Sequence, residues 1–560
     1  MDMVASATAR AVKRISDVRN LRQVQFVEDA GPMAHPVRPD SYVEINNFYT
    51  PTVYEKGAEV VRMMQTLVGR DGFARGIKLY FDRFDGQAVT CDDFAQAIAD
   101  ANPQSELARL LPQFKRWYAQ AGTPKVTARG RYDAPSRTYT LGLEQAPTAV
   151  STTAHEPFVI PLAVGLVGRD GNAMPMRLED EPESATATSR VLVLDERRMF
   201  FTFVDVDQQP VLSLLRGFSA PVILIDGLSD ADLLVLLGHD NDPFNRWEAG
   251  QRLALSRLLA HLRESEAAPA PLDADFVTAM RGVLRDPALD PAFKELVLTP
   301  PSEAYIAEQL ASVDPQRIHS AREAMRRGLA SALRADWEWA FETHQVRGGY
   351  SPDPESAGRR ALANLSLAML CIDAVERSEA VWPGRAYQRF KDASNMTDRL
   401  GALSALLIAG SPLARDALER FLAMFEREAL VVDKWFAVQA TAPERDGQVF
   451  ERVQALLRHR DFSLANPNRA RSLVGAFVLA NPAGFHRPDG AGYSFWAERV
   501  LELDRINPQL ASRIARALDR WSQLAEPYRS SARAAIARVA AAPGLSCDTS
   551  EIVSRALAIA

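Results

Sequence analysis

Gly122-Thr123-Pro124-Lys125-Val126-Thr127-Ala128-Arg129 is the stretch at which the chain changes its period. Lys125 to Arg129 alternate apolar and polar residues, as do Thr138-Tyr139-Thr140-Leu141-Gly142-Leu143, on either side of an Asp133-Ala134-Pro135 turn. Alternation sends successive side chains to opposite faces, so both runs read as half-buried strands. Phe158 to Val167, Ser189 to Leu194, Met199 to Val204 and Pro221 to Ile225 continue the pattern, with Asp170-Gly171-Asn172 as a hairpin turn. Roughly six or seven short strands over about a hundred residues predict a small antiparallel β-sandwich at 123–227. It holds no convergent polar cluster, so spacing and support are its expected roles.

Upstream of that stretch, residues 1–122 read as helical. Val12, Ile15, Val18 and Leu21 mark one apolar stripe, and Val60, Val61, Met64, Leu67 and Val68 mark another. Pro32, Pro36 and Pro39 interrupt any helix between them and predict a long irregular connection. Thr90 to Asp93 reads as a capping box opening a helix through Phe94 and Ile98. Several one-sided helices in so short a segment predict part of a domain rather than a whole one. Downstream, 228–560 is helical throughout, in stretches such as Trp247 to Leu262, Ile318 to Phe341, Ser356 to Ala374 and Pro508 to Leu524, separated by Pro, Gly and Asp. Successive short antiparallel helices without a strict repeat period predict a HEAT-like α-superhelix with a concave surface.

The whole is therefore multidomain and mainly α, as 560 residues exceed what one hydrophobic core serves. With 47% hydrophobic and 24% charged residues it has the composition of an ordinary globular protein. A net charge of −6 and a pI near 5.9 leave no concentrated basic surface, so nucleic acid is not an expected partner. Cys91, Cys371 and Cys547 are far apart and lack metal-ligand spacing, which fits incidental thiols in a reducing compartment. The first thirty residues carry Arg10, Lys13, Arg14, Arg19 and Arg22 but no continuous apolar stretch, unlike a signal peptide. No later run reaches the ~18 apolar residues of a membrane span. No membrane association and a cytoplasmic location are the expectations.

A catalytic zinc site needs three protein donors and an open position. The eight histidines, His35, His155, His239, His261, His319, His344, His459 and His486, are unpaired in sequence. His155-Glu156 is followed by Pro157-Phe158-Val159, which puts Val159 at the fourth position and a proline against any helix, so it reads as a loop at a strand edge without a metal role. No G-x-S-x-G elbow, G-x-G-x-x-G or Walker loop is present. No metal is expected on this chain alone.

Longer motifs carry more. Asn46-Asn47-Phe48-Tyr49, Tyr54-Glu55-Lys56-Gly57-Ala58-Glu59-Val60, Leu79-Tyr80-Phe81-Asp82-Arg83-Phe84-Asp85-Gly86 and Thr90-Cys91-Asp92-Asp93-Phe94 together resemble the bacterial aminopeptidase N family of zinc metallopeptidases. Val432-Asp433-Lys434-Trp435-Phe436, Asn466-Pro467-Asn468-Arg469 and Arg471-Ser472-Leu473-Val474-Gly475-Ala476-Phe477 resemble segments of that family's C-terminal helical domain. The similarity runs in order from residue 9 to 560. It implies the helical remnant of a thermolysin-like catalytic domain at 1–122, then the β-sandwich at 123–227 and the superhelix at 228–560.

The resemblance also implies hydrolysis of N-terminal residues from peptides, with zinc held by H-E-x-x-H and a downstream glutamate, and with a G-A-M-E-N segment on the substrate amino group. Neither motif occurs in this sequence, and in the family both would lie upstream of Met1. Tyr54 matches the family's transition-state tyrosine, whose phenol donates to the developing oxyanion. Asn46 and Tyr49 match positions near the substrate-binding wall. Arg469 and Arg471 fall in a segment that faces an internal cavity in similar proteins, where a guanidinium meets a peptide carboxylate. Without the resemblance the same residues read more plainly. Tyr54 would be an amphipathic core residue with a local partner, Asn46 a turn residue, Glu55 and Glu59 solvated helix charges, and the arginines ion pairs.

Two expectations follow. In the first, the chain is the C-terminal portion of an aminopeptidase, inactive alone, with zinc and peptide substrates belonging to the intact enzyme and a missing N-terminal catalytic half as its partner. In the alternative it is a non-catalytic helical scaffold or binding protein derived from such an enzyme.

Overall fold

Packing divides the chain into two units, Met1–Leu253 and Ala254–Ala560. The computed structural model describes residues 7–147, 156–182, 187–263 and 272–558. The Ala7–Asn20 helix opens the first unit and runs into a π-helical turn at Leu21–Phe26 and a short helix at Val27–Asp29. Ile15, Val18 and Leu21 of the expected stripe are buried. The proline-rich connection is irregular as far as a 3-10 turn at Ile45–Asn47. A second π-helical turn, Thr52–Lys56, leads into the Gly57–Phe84 helix, which is broken at Gly69, where a φ of 73° suits glycine alone. Thr90 caps the Cys91–Asp100 helix through the expected capping box: its Oγ1 accepts the Asp93 amide, and the Asp93 carboxylate accepts the Thr90 amide.

Nine strands follow among the described residues: β1 (Lys125–Asp133), β2 (Thr138–Ala146), β3 (Ile160–Val167), β4 (Ala173–Met174), β5 (Arg177–Leu178), β6 (Arg190–Leu194), β7 (Arg198–Val204), β8 (Val211–Leu214) and β9 (Ile223–Ile225). One sheet has the order β5-β7-β2-β1-β9; in the other, β3 pairs with β4, β6 and β8. Every pairing is antiparallel except β1 with β9. Tyr139, Leu141 and Leu143 of β2 are buried at alternate positions, as the period-two pattern requires. The Asp170-Gly171-Asn172 turn closes the β3–β4 hairpin, with the Gly168 amide donating to the Asn172 carbonyl. The sequence pattern does not mark β4, β5 or β8, because the first two have two residues each and β8 is buried on both faces and so does not alternate.

The helical segment and the sheets share one core. Trp117 lies 4.3 Å from the Phe158 ring and donates its indole N–H to the Val159 carbonyl, while the Gln113 and Arg116 side chains donate to the Pro157 carbonyl. After β8, Leu215, Gly217 and Phe218 adopt left-handed backbone (φ 62°, 59° and 53°), and the Arg14 guanidinium takes the Gly217 and Phe218 carbonyls.

The second unit is helical. Among the described residues six of its helices begin with Asx-Pro, at Asp290-Pro291, Asp314-Pro315, Asp353-Pro354, Asn466-Pro467, Asn481-Pro482 and Asn507-Pro508. Each Asx oxygen accepts a first-turn amide, and the proline stands where no amide is needed. The Pro354–Glu376 helix packs against Pro291–Leu298, Pro315–Ala332, Arg334–Thr343, Val381–Asp392 and Met396–Ala409. Later helices pack on helices close to them in sequence: Leu413–Phe425 on Ala429–Ala440, Ala491–Asp504 on Pro508–Ala515 and on Tyr528–Ala540, and Cys547–Leu557 on both Pro508–Ala515 and Tyr528–Ala540. This is the nearest-neighbour habit of helical repeats. Two expected helices are shorter than their patterns. Ile318 to Phe341 divides at Leu333, and Pro508 to Leu524 gives way after Ala515 to 3-10 turns at Arg516–Leu518 and Trp521–Gln523, beyond which Gln523 and Ala525 pair with Val313 through backbone hydrogen bonds. Among the described residues no helix is long and apolar enough to cross a membrane.

Candidate functional site

Tyr54 stands in the middle of the Thr52–Lys56 π-helical turn, where the Gly57 amide donates to the Thr52 carbonyl five residues back. Such turns are rare, interrupt the regular helical ladder and gather at functional sites. Buried polar side chains hold both ends of this one. Thr52, 0% exposed, donates its amide at 2.9 Å and its hydroxyl at 2.6 Å to Glu28 Oε1, and accepts Gln25 Nε2 at 3.2 Å. Lys56, 1% exposed, donates Nζ to Asp29 Oδ2 at 2.9 Å and to the Gly122 carbonyl at 2.8 Å. Thr123 Oγ1 donates to the same Asp29 oxygen at 2.8 Å, while Asp29 Oδ1 is buried without a hydrogen-bond partner among the described residues. His35 braces the approach, with Nδ1 2.7 Å from the Pro36 carbonyl and Nε2 2.8 Å from Thr50 Oγ1. A carbonyl only accepts, so Nδ1 carries a proton.

The phenol faces away from all of this. Tyr54 is 60% exposed, and its hydroxyl has no hydrogen-bond partner among the described residues. Its ring packs at 6.4 Å against Tyr49, itself 57% exposed; Tyr49 meets Phe48 edge-on, and Phe48 meets Tyr42. Val43 and Ile45, in the same stretch of chain as these rings, are exposed as well. Asn46 lies in the turn just before it, exposed, with its amide and Nδ2 on the Glu44 carboxylate. The structure thus brings Tyr49 and Tyr54 into ring contact and leaves Asn46 on the adjoining turn.

Glu59 departs from its plain sequence reading as a solvated helix charge. It is buried, because Arg14 reaches across from the Ala7–Asn20 helix and bonds both carboxylate oxygens. Arg469 and Arg471 belong to the second unit, at the short Pro467–Ala470 helix and the π-helical turn Arg471–Gly475 that follows it. The Arg469 guanidinium is buried and committed internally, to the Asp461 and Ala429 carbonyls and Asp433, over the Phe436 ring. Arg471 is exposed and donates to Asn468 Oδ1 at 3.3 Å.

Among the described residues no group of three His, Cys, Asp or Glu side chains could hold a metal ion; His155 lies outside them. Sequence reasoning passed over Glu28, Asp29, Thr52 and Lys56. The available signal was the spacing of Thr52 and Lys56, four residues apart on one helix face, together with an adjacent acid pair closing an apolar stripe.

Comparison with known proteins yields consistent findings along the chain. Residues 3–117 match the Peptidase family M1 domain, 122–227 a domain of unknown function (DUF3458) with an Ig-like fold, and 230–558 its companion (DUF3458_C) of ARM repeats. Aminopeptidase N of Escherichia coli is 40% identical over 553 residues, 98% of this chain and 62% of that protein. Aminopeptidase N of Caulobacter vibrioides is 41% identical over 557 residues, 99% of this chain and 61% of that protein. The chain therefore spans about three-fifths of the length of these relatives. A crystal structure of Legionella pneumophila aminopeptidase A in complex with aspartic acid superposes with a TM-score of 0.82 at 26% identity, over 94% of this chain and 59% of that one.

Proposed function

This chain belongs to the aminopeptidase N family of M1 peptidases, and from that premise we propose that it forms the oxyanion-donor wall and supporting body of a peptide-hydrolysing enzyme. As the scissile carbonyl turns tetrahedral its oxygen gains negative charge. A fixed O–H aimed at that oxygen binds the transition state more tightly than the ground state. Tyr54 is that donor. One observation carries the reading: an exposed phenol without an internal partner stands on a turn whose two ends are buried and polar-bonded.

Tyr49 and Asn46 line the approach of the peptide, and Arg471 meets a peptide carboxylate while Arg469 holds its segment in place. Peptides are the substrates and the cytoplasm the place of action. The metal-bearing half is a partner segment with the family's H-E-x-x-H motif. The test is hydrolysis of alanine p-nitroanilide by the purified chain, alone and mixed with such a segment and zinc. Turnover on mixing that chelators abolish is expected, with none from the chain alone. A well-folded chain that gains no activity on mixing overturns this reading in favour of a non-catalytic scaffold.

A further inference from the structure

We infer that Lys56 and Asp29 are positioning residues for Tyr54, and that their buried ion pair sets the direction of the phenol rather than the stability of the fold; the inference rests on the proposed role of Tyr54. Thr52 and Lys56 lie four positions apart and both point inward. Tyr54 is two positions from each, roughly half a helical turn away, so whatever fixes those two side chains fixes the azimuth of the third. Lys56 supplies the finer constraint. Its Nζ bonds both Asp29 and the Gly122 carbonyl, and Thr123 bonds the same Asp29 oxygen. Gly122 and Thr123 lie just ahead of β1, an interior strand paired with β2 and β9, so the lysine ties the turn to the entry of a strand held on both sides.

The pair is a poor choice for stability. Both side chains are 1% exposed, and Asp29 Oδ1 has no hydrogen-bond partner among the described residues. Taking two charges out of water offsets most of their attraction, and an orphaned carboxylate oxygen adds to that cost. Two apolar side chains of similar volume would stabilise the fold as well. They would not fix a helical turn with one extra residue at a set depth and rotation, because apolar contact has no direction, whereas an ammonium shared between a carboxylate and a carbonyl does.

The deciding variant is Lys56→Met with Asp29→Leu, which removes both charges and strands neither. The full chain is produced with 3-fluorotyrosine, and the 19F line of Tyr54 is identified among the 12 tyrosines by its loss in Tyr54→Phe. The expected result is an unfolding midpoint within about 3 °C of the parent, with the Tyr54 line shifted or broadened and the lines of tyrosines remote from the turn unmoved. In the enzyme completed in trans, kcat falls about 100-fold with KM nearly constant, as for a misplaced catalytic group. An unmoved Tyr54 line, an unchanged kcat, or loss of the fold in the double variant overturns the inference, the last by assigning the pair to stability. If instead Tyr54→Phe leaves turnover intact, the role of Tyr54 fails while the 19F line still decides whether the pair sets the turn.

Discussion

Arg14 grips Glu59 through two parallel hydrogen bonds of 2.5 and 2.6 Å, both side chains buried, while the same guanidinium takes the Gly217 and Phe218 carbonyls. One arginine therefore joins the first helix, the helix that follows the Tyr54 turn and a left-handed corner of the sheet domain. Removing one member, by Arg14→Ala or Glu59→Ala, strands a buried charge and is expected to cost about 3–5 kcal/mol in urea unfolding. Arg14→Met with Glu59→Leu is expected to cost less than either single change. Single-variant losses under about 1 kcal/mol would mean that the pair is solvated in the protein.

Tyr54→Phe is expected to lower kcat of the completed enzyme by about 10²–10³-fold, the usual effect of losing one oxyanion donor. KM and the unfolding midpoint should hold, since the hydroxyl is exposed and bonds nothing internally. Steady-state kinetics beside a thermal melt separates the two. A fall in midpoint that parallels the fall in kcat would point to a structural phenol.

His319 in the second unit has Nδ1 2.7 Å from Glu303 and Nε2 3.3 Å from the Glu444 carbonyl. Burial pulls its pKa down, but the bond to Glu303 and the charges of Glu303 and Glu323 outweigh that, and the net shift from 6.5 is upward. The folded state thus holds the proton more tightly than the unfolded one. Its contribution to stability is complete below about pH 6.5 and is lost as the pH rises through the elevated folded value. In His319→Gln the unfolding midpoint should lose part of its decline above neutrality. A variant whose pH profile runs parallel to the parent's would refute this.

Asp242 behaves in the same sense for a different reason. Burial raises its carboxyl above 3.8, and the neighbouring Asp240 adds to the rise, against the amides of Asn245 and Gly217 that it accepts. The protonated form is favoured in the folded state, so stability is present at low pH and lost as the pH climbs from the ordinary carboxylate range through the folded value. Asp242→Asn keeps the accepting oxygen and removes the charge. Its midpoint relative to the parent is expected to rise from pH 4 to pH 8, and a flat difference would show that the carboxylate charge is already well compensated.

The fold was legible where residues obey a period or a cap. Alternation in Thr138 to Leu143 marks a strand, and Thr90 with Asp93 marks a helix start, because both patterns act locally. Val211–Leu214 was hidden because a strand buried on both faces has no alternation. The Asx-Pro pairs were visible as breaks but not read as starts, although cap and proline together specify one. At the candidate site the family motif marked Tyr54, Tyr49 and Asn46. The spacing of Thr52 and Lys56 and the adjacent acids Glu28 and Asp29 hinted at polar groups on a buried face, but which acid meets Lys56 is set only by tertiary packing across 27 residues. Glu59 was obscure for the same reason: nothing near it in sequence announces Arg14.

Trp117 against Phe158, with Gln113 and Arg116 on the Pro157 carbonyl, makes the boundary near residue 122 a covalent hinge without a mechanical one. Chimeras with a related protein that cross over there would pair mismatched halves of one interior. Exchange of a block that carries both sides of that contact from one parent keeps the interior matched, and such recombinants are the ones that should fold.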